Sequence, residues 1–150
     1  MTKIINRKFN RTFTLLEKIE AGIALTGAEV KSARKGMVRI DDAFVRIIAG
    51  EAYLVNAEIA VYPYSQPQGY DPRRTRKLLL HKKELVRLKT KMASARGLTV
   101  APVAWYNKRS LMKLEIALVK GKKEFEKKRL DKQKDVERQQ KREAKEYMKH

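Results

Sequence analysis

Arg73, Arg74, Arg76 and Lys77 fall within five positions of the stretch DPRRTRKLLLHKKEL. A guanidinium is a planar fork of donors that matches phosphate oxygens and can also lie flat on a base. Four cations so close together point to a polyanion that carries phosphates. Tyr62, Tyr64 and Tyr70, just upstream, supply rings of the kind that stack on unpaired bases. Lys31, Arg34 and Lys35, in AEVKSARKG, form a second outward-facing basic group. On spacing alone, a solvated charge run at a helix entry and ordinary loop packing for each tyrosine stay open as alternatives.

Catalytic chemistry finds little support. The two histidines, His81 and His150, are far apart in sequence, and His81 sits where a helix begins, which suits a local polar role. Asp41 and Asp42 are adjacent, so on a strand they point to opposite faces and make a poor acid/base pair. No phosphate loop and no metal-ligand spacing occurs. The chain has no Cys, which removes disulfides, thiolate zinc sites and cysteine chemistry. The reading is a non-enzyme with no cofactor and no metal.

The charge balance points the same way. The formal net charge is +19 over 150 residues. Residues 120–150 hold 13 Lys and Arg against 7 Asp and Glu, and the rest of the chain holds 23 against 10. The larger excess, +13, is therefore on the body. A basic body of this kind calls for nucleic acid or an anionic membrane as partner. No segment shows the broad apolar face of a membrane-surface helix, and no apolar run approaches the ~20 residues of a membrane span. MTKIINRKFN lacks the apolar stretch of a signal peptide. The expectation is a cytoplasmic, monomeric nucleic-acid-binding protein with no membrane partner.

These side chains need a scaffold. TFTLLEKI alternates Phe13, Leu15 and Ile19 against Thr12, Thr14 and Lys18, a strand with one buried face, and GIALTG follows as a second short strand. AEVKSARKG reads as a short helix stopped by Gly36. AFVRIIAGEAYLVNAEI reads as a hairpin turning at Gly50, and YPYSQPQGYDPRRTR as a long loop. Leu85, Leu88 and Met92 mark the packed face of a helix that Gly97 ends. LTVAPVAWY and LMKLEIALV form a last hairpin, with Met112, Leu114, Ile116 and Leu118 facing in and Lys113 and Glu115 facing out. Roughly six strands and two helices result. The fold class is mainly β with flanking helices: a small antiparallel oligonucleotide-binding-like barrel over residues 1–120.

Residues 121–150 differ in kind. No Gly or Pro follows Gly121, and Glu124–Lys128 is a favourable helical pair. The apolar residues Phe125, Leu130, Val136, Ala144, Tyr147 and Met148 make no continuous stripe. Such a tail cannot offset its ordering entropy alone, so the expectation is disorder when free and a helix against a polyanion.

Three stretches in this order, EAGIALTGAEVKSARKG, DPRRTRKLLLHKKEL and ALVKGKKEFEKKR, resemble the SsrA-binding protein family (small protein B). The resemblance implies a barrel that binds the tRNA-like domain of transfer-messenger RNA. It implies delivery of that RNA, with elongation factor Tu through the RNA complex, to stalled ribosomes for trans-translation and tagging of incomplete proteins for degradation. Family positions important for RNA binding fall here on Asn6, Glu20, Leu79 and Lys113. Glu20 then accepts from a base amino group, or is a turn residue or an internal partner for Arg or Lys. The resemblance also sends the tail into the messenger path, as a helix starting at the decoding centre. Its ribosome-contacting residues would be Lys122, Lys123, Phe125, Glu126, Lys127, Lys128, Tyr147 and Met148. The family commonly has a ring followed by Asp-Lys-Arg where this chain has Phe125-Glu126-Lys127-Lys128, which removes an arginine fork at Lys128. Thirty helical residues span ~45 Å. The alternative reading is a general basic RNA chaperone or ribosome-associated protein.

Overall fold

Period-two alternation of apolar side chains builds a closed ring of strands. The structure, a computed structural model, describes residues 3–64 and 68–149, with the backbone alone at 124, 125 and 149. In chain order the elements are β1 (Ile4–Ile5), α1 (Phe9–Thr12), β2 (Phe13–Ile23), α2 (Gly27–Arg34), β3 (Val38–Arg39), β4 (Phe44–Ile48), β5 (Glu51–Val55), β6 (Glu58–Ile59), β7 (Arg76–Leu79), α3 (Lys82–Ser94), β8 (Leu98–Lys108), β9 (Leu111–Gly121) and α4 (Glu124–Lys149). The ring runs β8–β4–β5–β7–β2–β9 and back to β8, antiparallel throughout. Closure removes the unpaired edges that an open sheet would present. β1 adds to β8 with Ile4 opposite Trp105, and β3 pairs with β6 in a small separate ladder.

Trp105, Leu54, Ile59, Leu78, Leu114 and Ile116 fill the ring and are fully buried. α3 lays Leu88 into this core, with Leu85 and Met92 half-buried beside it, so the spacing read from sequence is the packed face. Met112, Leu114, Ile116 and Leu118 face in, as the alternation requires. Ala117 and Val119 on the opposite face of β9 are buried as well. A four-residue helix, α1, explains them: Phe9 packs with Ala101, Ala117 and Val119 in a second cluster outside the ring, and Phe13 meets Phe9 at 5.7 Å.

Three elements depart from the sequence reading. Residues 13–23 are one strand, not two, because Gly22 pairs with both Leu79 and Lys113 and continues the ladder. A bulge between Leu15 and Glu17 shifts the register there and leaves Leu15 and Leu16 exposed, so Leu15 is not on the buried face. The segment read as a loop and apolar triplet contains β7, which joins β5 to β2. The Gly50 hairpin is as read; its two-residue turn also holds Ala49 at positive φ.

In the C-terminal segment, expected to be disordered when free, residues 124–149 form one continuous helix. Without Gly or Pro the backbone has no reason to break. The absent apolar stripe shows instead in exposure: Leu130 and Asp131 are half-buried, whereas residues 132–148 are all exposed. The helix is seated by α1. Lys122 N–H donates to Thr12 O (2.9 Å), the Lys122 ammonium donates to Asn10 O, and the Arg11 Nε–H donates to Asp131 (3.2 Å).

One buried carboxylate ties the lower elements together. Glu29 occupies the third position of α2 in a capping box with Thr26: Thr26 N–H donates to Glu29 Oε1 (2.9 Å) and Glu29 N–H to Thr26 Oγ1 (3.2 Å). Arg76 Nε donates to Glu29 Oε2 (2.6 Å), and Arg74 Nη2 to Oε1 (2.6 Å). The remaining Arg76 donors go to Ala57 O (2.9 Å) and Pro72 O (3.0 Å). Burial alone would raise the Glu29 carboxyl, but the bonds from Arg74, Thr26 and Arg76 outweigh it and hold it down at about 2. A depressed carboxylate contributes stability above its unfolded value and loses it as pH falls toward the folded value. Urea denaturation should show Glu29→Gln less stable by about 3–5 kcal/mol at neutral pH, since one side of a buried pair is removed. The wild-type loss of stability between about pH 5 and pH 2 should flatten in the variant. An unchanged midpoint and an unchanged acid limb would contradict this account.

Candidate nucleic-acid interface

The last hairpin sets the register of the candidate site. Arg109 and Ser110, both at positive φ, make a two-residue turn, so Lys113 lies opposite Tyr106. Lys113 also pairs with Gly22 of β2, and Gly22 with Leu79 of β7. Leu79, Gly22, Lys113 and Tyr106 therefore form one cross-strand row over four strands, on the outer face of the ring. Leu79 is 54% exposed, an unusual place for a leucine on a strand. Gly22 keeps the row flat: a Cβ there would come within 3.2 Å of the Leu79 Cβ. Leu79, Leu111, Leu25 and Val30 line a shallow groove of about 180 Å³ beside Lys113.

Glu20 stands two residues from Gly22 on the same face of β2. The Tyr106 hydroxyl donates to Glu20, and Lys108 Nζ lies 3.3 Å from its Oε1. The hydrogen bond from Tyr106 holds the Glu20 carboxyl below its ordinary range against the next-largest influence, burial, and Lys108 and Lys113 add smaller lowering effects. Burial and the neighbouring Glu20 carboxylate push the Tyr106 hydroxyl well up, so it stays a donor. Within the chain Glu20 is a partner of Tyr106 and Lys108, and it fixes the ring of Tyr106 at the end of the row. Lys3 lies over the other part of that ring, 5.6 Å from its centroid.

The arginine cluster behaves differently from its reading as an RNA-binding group. Arg76 is fully buried and every bond described above turns inward, so it is a structural cation and cannot meet phosphate. Arg74 is half-exposed, yet its guanidinium is committed to Glu29. Arg73 donates to Asn56 Oδ1 (2.8 Å) and is weakly paired with Glu58 (3.8 Å). Lys77 points outward from β7, as Leu79 does, with Glu51 at 3.6 Å. Asn6 needs the same correction. It is buried, its amide donates to Pro102 O (2.8 Å) and its oxygen accepts from Lys8 N–H (3.1 Å), so it anchors the N-terminal segment to β8. Lys31 and Arg34 are exposed on α2 as expected. Tyr70 donates to Ile59 O (2.8 Å), while Tyr62 and Tyr64 meet edge to face at 5.6 Å.

In the tail, Tyr147 and Met148 are largely exposed, Lys123 and Lys128 are exposed, and Glu126 and Lys127 are half-buried in the first turns of α4. The Phe125 side chain lies outside the described residues. The tail leaves β9 at Gly121, eight residues beyond Lys113, or about 27 Å along a strand. Barrel row and tail thus occupy opposite ends of one strand. Gly22, Tyr106, Lys108 and Lys3 had not been picked out as site residues. Tyr106 was within reach, because placing the turn at 109–110 pairs it with Lys113. The other three depend on pairings between distant segments. Among the described residues no cluster of three acidic or histidine side chains offers a metal site, and no helix is long and apolar enough to cross a membrane.

The chain is similar to known proteins. A family model described as SmpB protein matches residues 3–146. The SsrA-binding protein of Sulfurihydrogenibium sp. is 48% identical over 134 residues, covering 89% of this chain and 88% of the relative. That of Chlorobaculum tepidum is 41% identical over 140 residues, with 93% and 88% covered. A solved structure described as "tmRNA-SmpB: a journey to the center of the bacterial ribosome" is 45% identical, with a TM-score of 0.67 over 81% of this chain and 85% of that one.

The Tyr106–Glu20 contact has a direct readout. A pH titration of the Glu20 side-chain carbon by NMR should give a value below that of an ordinary glutamate. In Tyr106→Phe it should move back up, because the largest lowering influence is gone. An identical titration in the two proteins would show that Tyr106 does not hold Glu20.

Proposed function

The chain belongs to the SmpB protein family, and we propose that it binds the tRNA-like domain of transfer-messenger RNA and works with that RNA on the bacterial ribosome in trans-translation. The observation that carries this is the outer row of Leu79, Gly22, Lys113 and Tyr106, braced by Glu20. Lys113 supplies a point charge for a phosphate oxygen. Leu79 and the small apolar groove beside it accept an unstacked base or the face of a ribose. Gly22 adds no side chain, so an RNA loop can come close to the sheet. Such a flat strip, apolar at one end and cationic at the centre, suits the splayed loops by which RNA is recognised.

The tail supplies the second activity. With the barrel held on the RNA, α4 projects from the far end of β9 into the empty messenger path, and its start lies at the decoding centre. Lys122, Lys123, Phe125, Glu126, Lys127 and Lys128 make the first contacts, and Tyr147 and Met148 the last. Elongation factor Tu enters through the RNA complex, and the protein acts as a cytoplasmic monomer without catalytic chemistry of its own. The exposed length of α4 supports this reading, since a helix with no core to join is available to a channel of anionic RNA.

Deleting residues 122–150 separates the two activities. The shortened protein should bind transfer-messenger RNA with nearly wild-type affinity, and much more tightly than it binds an unrelated RNA of equal length at the same salt. Tagging of stalled products in a reconstituted translation reaction should be lost. Equal affinity for both RNAs in the full-length protein would overturn the proposal. A graded loss of affinity for every RNA on deletion would favour a general RNA chaperone instead.

A further inference from the structure

Cations held in ion pairs among the described residues include Lys8, Arg11, Lys18, Arg73, Arg74, Arg76, Lys77, Arg87, Lys91 and Lys108. Four that are not line a single open groove. Lys3, Arg7, Arg34 and Lys35 surround a space of about 680 Å³ between β1 and the C-terminal end of α2, walled by Ile4, Ile5 and Val38. None of the four takes part in an ion pair among the described residues, and no acidic residue lines the groove. The acid bonded nearest is Asp41, which accepts from the Arg7 backbone N–H (2.9 Å) and belongs to the neighbouring cluster of Lys8, Asp42 and Arg73. Like charges gathered on low-dielectric walls focus a positive field into the space between them. Holding them there costs repulsion that no ion pair among the described residues relieves.

We propose that this groove takes the phosphodiester backbone of the same RNA that lies on the outer row, so that the bound strand continues from Lys113 and Tyr106 across Lys3 to Arg7, Arg34 and Lys35. The inference rests on the function proposed above. Two features join the sites. Lys3 lines the groove and also lies over the Tyr106 ring at the end of the row. Helix α2 runs between them: Val30 lines the groove at Leu79 and Arg34 the basic one, a single helical turn or about 6 Å apart. The lining chemistry fits a sugar–phosphate backbone, with four cations for phosphate oxygens set on apolar walls. The groove has no amide or carboxylate side chain to read a base, and no ring to stack on one. Ile5, 60% exposed, offers an apolar surface to a ribose. The groove therefore adds affinity that depends on salt and is indifferent to sequence, while discrimination stays with the row.

The test is the salt dependence of binding between the full-length protein and the tRNA-like domain of transfer-messenger RNA, with an unrelated RNA of equal length beside it. Wild type is compared with the triple variant Arg7→Gln, Arg34→Gln, Lys35→Gln. A control, Lys83→Gln, Lys89→Gln, Arg96→Gln, removes the same charge from exposed positions elsewhere. The groove variant should lower the slope of log affinity against log salt by about 2–3, at about 0.7–0.9 for each lost phosphate contact. The control should leave it near wild type, and preference for the correct RNA should persist in both. Lys35→Gln alone should lower the slope by about 0.7–0.9, which provides the reading if the triple variant has a reduced melting temperature. An unchanged slope, or an equal fall in the control, would overturn the proposal. So would an unchanged RNA slope with lost ribosome binding, which would assign the groove to ribosomal RNA. A wild type that fails to prefer transfer-messenger RNA would instead overturn the function on which this inference rests.

Discussion

The Glu29 carboxylate, closed between Arg74 and Arg76, is the interaction on which the rest of the architecture depends. It caps α2, holds β7 through Arg76, and reaches the backbone at Ala57 and Pro72 through the same guanidinium. A lone buried charge would cost several kcal/mol. Here one anion faces two cations, and the donors of Arg76 that Glu29 cannot take are satisfied by carbonyls. The arrangement places two things that function needs. It sets β7 in the ring so that Leu79 points outward, and it fixes α2 beside the hairpin turn.

The same pairing sorts the surface. Acids near the outer row are drawn into internal roles: Glu20 braces Tyr106, and Glu29 is buried under α2. Glu17 holds Arg87 and Lys91 of α3 against β2, at 2.9 and 2.5 Å. Among the cations that no ion pair holds within the described residues are Lys113 on the row and Arg7, Arg34 and Lys35, which gather in the groove. Net charge is thus converted into a local field. The tail carries the smaller excess, with both signs mixed along an exposed helix that α1 seats through Arg11 and Lys122.

Much of this was legible in the chain. Alternation in LMKLEIALV gave the buried face of β9, the Leu85–Leu88–Met92 spacing gave the packed face of α3, and Gly50 gave its hairpin. The arginine cluster was the instructive failure. Composition marks Arg73, Arg74 and Arg76 as a phosphate site, but burial is decided by which residue a strand turns inward, and Arg76 alternates with Lys77 on β7. A lone Glu in α2 gave no hint that it would claim two of them from 45 and 47 residues away. Asn6 failed for a related reason, since its partners on β8 are 96 residues distant. The exposed Leu79 and the bulge at Leu15 likewise depend on pairings between segments far apart in sequence. Tyr106 was readable once the turn was placed.

The central claim is that RNA lies on the outer row of the barrel and leaves the tail free for a second task. Mapping of NMR chemical shifts in the isotope-labelled full-length protein, during titration with the tRNA-like domain of transfer-messenger RNA, tests it most directly. The account predicts the largest changes at the Leu79 and Leu111 methyls and at the amides of Gly22, Tyr106 and Lys113, with little change over residues 132–148. Changes concentrated on the tail helix or on α3, with the row unmoved, would contradict it.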